Sequence, residues 1–104
     1  MAYTLIPDLA SRAEIPEAGT LSRVLHNDDR VRLVLFAFDA GQELSEHTAP
    51  FDALVHVIEG QAEIYISGQP FKVGANEAII MPADQPHAVK APQRFKMLLT
   101  MIRA

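Results

Sequence analysis

Short apolar runs of four to eight residues recur along most of the chain, nearly all bounded by Gly, Pro, Asn or Asp. Runs of this length are too short for core helices, and their regular punctuation is the pattern of an all-β sandwich or barrel. The spacing predicts about eight strands. Thr20 to His26 leads through Asn27-Asp28-Asp29 into Val31 to Asp39, two apolar runs joined by a turn and therefore a hairpin. Leu54 to Glu59 and Gln61 to Ser67 flank Gly60, and Gly68-Gln69-Pro70 turns the chain into a short strand, Phe71 to Val73. Glu77 to Met81 and Ala88 to Ala91 stand either side of a turn holding Pro82 and Pro86, and Arg94 to Ile102 completes the series.

Strict alternation then assigns faces. Ala62, Ile64 and Ile66 point to the interior while Glu63 and Tyr65 point out, and Phe95, Met97, Leu99 and Met101 form the more apolar side of the last strand. Only Pro7 to Glu14 reads as a short helix or irregular arm. The expected organisation is an N-terminal arm over residues 1–19 and one barrel domain over 20–104. The arm is expected across an open edge or against a partner subunit, where it hides strand hydrogen-bonding groups.

A length of 104 residues allows one domain and one site. The net charge of −4, with nine basic residues scattered through the sequence, argues against nucleic acid, because phosphate binding needs clustered Lys and Arg. Cysteine is absent, which removes disulfides, thiolate metal sites and a Cys nucleophile and fits the cytoplasm. Met1 to Ala13 lacks the apolar core of a signal peptide, and Leu33 to Phe38 and Ala78 to Pro82 are far short of a membrane span. No membrane role is expected.

Two segments carry the chemistry. GQELSEHTAPFDALVHVIEG and NEAIIMPADQPHAVKA resemble, in order, the two motifs of the cupin superfamily. The first family motif runs Gly, His, His, Glu, Gly; here Gly41, His47 and Gly60 are in register, with Ala49 in place of the second His and Ala53 in place of the Glu. The second runs Gly, Pro, Gly, His, Asn; here Pro82 and His87 are in register, while Asn76, Asp84 and Ala91 replace the first Gly, the second Gly and the Asn. Asn and Asp tolerate the positive backbone angles that glycine supplies, so the turns are expected to survive. The resemblance implies a cupin-type jelly-roll β-barrel (double-stranded β-helix), a single domain, and a homodimer. It also resembles small bacterial cupins that keep one His per motif.

In cupins with complete motifs, three His and one Glu hold Fe, Mn, Ni, Zn or Cu. Only two of those four remain here, His47 and His87, so one divalent transition metal is implied only weakly. Asp52 and His56 are the candidates for a third ligand. Alternation puts both on the face opposite position 53, and a β-bulge would be needed to turn either inward.

The expected function is a small-molecule-binding barrel with a ligand pocket centred on His47 and His87, softened by Met81 and Met97. Phe51 is placed to cap its mouth. One alternative is an enzyme: an isomerase or cyclase using the two imidazoles as acid and base, or a metal-assisted oxygenase. Another is a structural or interaction barrel, in which the two histidines are merely hydrogen-bonded.

Overall fold

The computed structural model describes residues 4–103. After one turn of 3₁₀ helix at Leu9–Arg12, nine strands follow: β1 Thr20–Asn27, β2 Val31–Phe38, β3 Glu43–His47, β4 Ala53–Glu59, β5 Gln61–Ile66, β6 Gln69–Gly74, β7 Ala78–Met81, β8 His87–Lys90 and β9 Phe95–Ile102. They form two antiparallel sheets, β1-β2-β9-β4-β7 and β3-β8-β5-β6. This is the all-β architecture that the punctuation implied, in the jelly-roll form that the resemblance implied. No helix among the described residues is long and apolar enough to cross a membrane.

Two details differ from expectation. Glu43–His47 is a ninth strand, invisible to hydropathy because it lies at a sheet edge, pairs only with β8, and has all but Leu44 exposed. Gln69 and Pro70 belong to β6 rather than to the turn before it. β6 is also an edge strand, where a residue without an N–H is tolerated. The two-residue turn is Ser67-Gly68, both at positive φ, which suits the twist of a tight hairpin.

The sheets face each other across one core. Phe38, Val55, Val57, Ala62, Ile64, Val89, Phe95 and Met97 are buried there. Each large apolar side chain removed from water contributes about 1.5–3 kcal/mol. Phe38 and Phe95 stack at 4.6 Å with rings nearly parallel, and they close one end of the barrel. Cross-strand register then lays down successive inner rows along the first sheet: Phe36 with Met97, Val34 with Leu99 and Val55, and finally Met101 with Ala53 and Met81. The last row marks the opposite end.

Ala13 and Ile15 pack on the outer face of the first sheet against Leu35, Ala37, Leu25 and Ile58. Lys96 Nζ donates to Ala10 O at 2.6 Å, and the Ala18 N–H donates to the Asp39 carboxylate at 2.6 Å. That bond and a second from the Ala40 N–H hold the Asp39 carboxyl below its usual range. In the β1–β2 turn, Asp28 is likewise held well below the carboxylate range by His26 and by the N–H groups of Val31 and Arg30.

Candidate functional site

His87 is the first residue of β8 and His47 the last of β3, and the two are register partners. Their approach depends on a bulge. Leu44 pairs with Val89, but three residues of β3 then span two of β8 before His47 meets His87. Without the extra residue, His47 would sit on the face opposite Leu44; with it, both histidines look into the barrel. The turn that delivers His87 passes through Asp84 at φ 64, and Asn76 sits at φ 68, so both replacements for motif glycines adopt the left-handed geometry expected of them. The Asp84 N–H donates to Ala49 O at 2.8 Å and ties this turn to the loop after His47.

The rings meet edge to face with centroids 4.3 Å apart and Nε2 atoms 3.0 Å apart. Each Nδ1 points at the carbonyl two residues back, Ser45 O at 2.8 Å for His47 and Gln85 O at 3.1 Å for His87. A carbonyl only accepts, so both Nδ1 atoms carry hydrogen, an assignment made from their partners. Both Nε2 lone pairs therefore converge at the cavity. One donor hydrogen or one positive charge placed between them satisfies both.

Burial, and then the charge of His47, push the His87 pKa below its ordinary 6.5. The unfolded chain then takes up the proton more readily than the folded one, so this contribution to stability is complete above about pH 6.5 and fades as pH falls through the folded value. Thermal midpoints should accordingly drop between about pH 7 and pH 5, and drop less in His87→Gln. Parallel losses in the two proteins would remove His87 as the cause.

The histidines close one end of a cavity of about 90 Å³ whose other walls are apolar, among them Phe36, Leu44, Phe51, Leu99 and Met101. Met81 and Met97 line it too. Recesses of about 220 and 270 Å³ on the outer side of the second sheet, near Glu63 and near Tyr65, are larger but shallow and open to water. There Lys90 lies 5.0 Å over the Tyr65 ring and the Tyr65 hydroxyl donates to Glu63, contacts typical of a solvated sheet face.

Neither candidate third ligand reaches the pair. The Asp52 carboxylate accepts from the Ala83 N–H at 2.8 Å, which makes it a loop tie. His56 pairs with Ala78 and Leu98 in an unbroken register, so it stays on the outer face, opposite Ala53 and Val55. Ala49 and Ala53 occupy the places of the missing His and Glu, and no group of three or more His, Asp or Glu able to hold an ion occurs among the described residues. Two imidazoles fall short of the three protein ligands that tight sites use. The donor set therefore does not fit a resident metal.

Residues 34–102 match the family described as Cupin domain. A conserved protein of unknown function from Streptococcus pyogenes is 34% identical over all of this chain and 91% of its own, with a TM-score of 0.90. A cupin superfamily protein from Desulfitobacterium hafniense is 32% identical over all of this chain and 94% of its own, at 0.88. Among curated proteins, a 48-residue stretch is 33% identical to polyketide synthase CurC of Streptomyces cyaneus, 45% of this chain but only 31% of that protein. The match thus spans under a third of that relative.

Proposed function

The chain belongs to the cupin superfamily, and on that footing we propose that it is a small-molecule-binding barrel whose ligand sits between the sheets against His47 and His87. The observation that carries this reading is the apolar cavity between the sheets with two convergent Nε2 atoms at one end. Binding sites have this form: apolar walls supply affinity, and a few placed polar atoms fix orientation. Thermal-shift screening against small acids, sugars and aromatic compounds tests it, because a ligand that favours the folded state raises the midpoint. The expected result is at least one organic compound whose shift disappears in both His47→Ala and His87→Ala. Near-stoichiometric metal in the untagged protein, lost in both variants, would overturn the metal-free reading.

Proton-transfer catalysis is the second reading, and the same convergence favours it. An imidazole accepts or donates a proton near neutral pH, so a ligand held against the pair has an acid and a base at hand.

We infer in addition that two copies pair through the part of the outer face that the arm leaves open. Leu54, His56, Ala78, Ile80, Leu98 and Thr100 are register neighbours there, and Ile80 is 61% exposed. An isologous contact sets a patch against itself, and a patch with no charge on it does so without repulsion.

A further inference from the structure

The two Nε2 atoms set a chemical condition on what the cavity can hold. Both Nδ1 hydrogens are spent on carbonyls, those of Ser45 and Gln85, so each Nε2 presents a bare lone pair. The two atoms stand 3.0 Å apart. Lone pairs at that separation repel until a hydrogen comes between them, so the pair calls for a donor. The rest of the cavity supplies none: among the described residues that line it, every side chain other than the two histidines is a hydrocarbon or a thioether, and a thioether sulfur only accepts.

We propose that the ligand of this cavity is a small aliphatic alcohol whose hydroxyl donates its hydrogen to the Nε2 pair. This rests on the ligand-binding reading above and names the class of ligand. A hydroxyl oxygen about 3 Å from each nitrogen completes a triangle with them, and its hydrogen is shared in a three-centre bond. His87 is buried and His47 exposed, so the pair stands where the apolar walls meet water, and the hydroxyl keeps its own lone pairs on the wet side. The competing chemistries each fail on one point. A ketone, an ether or a carboxylate brings lone pairs alone, and strips water from two acceptors without replacing its hydrogen. An ammonium brings hydrogens together with a charge, and among the described residues no acidic side chain lines the cavity to pair with it. A lone proton meets the same cost, and burial already pushes the His87 pKa down. Size sets the body: a cavity of about 150 Å³ holds benzene, so the 90 Å³ here suits an alcohol of about four carbons.

Protein-observed NMR titration at pH 8, where imidazoles are neutral, compares 2-butanol with 2-butanone and sec-butylammonium, which share its carbon skeleton. The alcohol should bind about tenfold more tightly than the ketone and more tightly than the ammonium, shifting the amide signals of Ala53, Met81 and Met101. His47→Ala and His87→Ala should each erase the preference over the ketone. The comparison in the unaltered protein stands even if a variant fails to fold. Equal or tighter binding of the ketone or the ammonium at those signals overturns the alcohol assignment and leaves the ligand-binding reading intact. If no probe moves them, the alcohol assignment falls, and a shift there from any other compound of the screen shows that the broader reading survives it.

Discussion

Gly60→Ala is expected to leave little folded protein. Gly60 joins β4 to β5 at φ +79, and a Cβ built there would lie 2.3 Å from Arg94 O and 2.7 Å from Phe95 Cβ. The left-handed angle alone costs an L-residue about 1–2 kcal/mol. The overlap costs more, because β9 is held in register by β2 and β4 on its two sides and cannot retreat. Together these reach several kcal/mol, against a total stability of about 5–15 kcal/mol for a domain. Gly41→Ala is the control. Its φ of +87 carries the same angular cost, but nothing lies within 4 Å of the added carbon. Urea unfolding followed by circular dichroism should show Gly41→Ala folded with a modestly lower midpoint and Gly60→Ala largely unfolded. Similar midpoints for the two would refute the close approach at Gly60.

Ile80→Glu is expected to halve the particle mass in size-exclusion chromatography with light scattering. Ile80 stands on β7, the edge strand of the first sheet, beside Leu54. Burying an Ile contributes about 1.5–3 kcal/mol, and a two-fold contact counts each substitution twice while also burying two like charges. The fold should survive, since Ile80 is exposed in the single chain. A single-chain mass for the unaltered protein, or an unchanged dimer for Ile80→Glu, would rule out this face.

The barrel was legible because its strands repeat simple rules. Alternation located the inner faces of β5 and β9, and the substitution of Asn76 and Asp84 for glycine kept positive φ as backbone chemistry allows. The site was only partly legible. His47 and His87 came from motif register, yet what turns His47 inward is a one-residue bulge in a polar edge strand that carries no hydropathy signal. His56, which does sit on a readable strand, faces out because no bulge occurs there.

The central claim is that the cavity beneath His47 and His87 is where this barrel meets its ligand. A protein-observed NMR screen with small organic fragments tests it most directly. The tightest fragments should move the amide signals of His47, Ala53, Met81, His87 and Met101 and leave those of Glu63, Tyr65 and Lys90 in place. Fragments that move only the second group, or a screen in which the first group never responds, would contradict it.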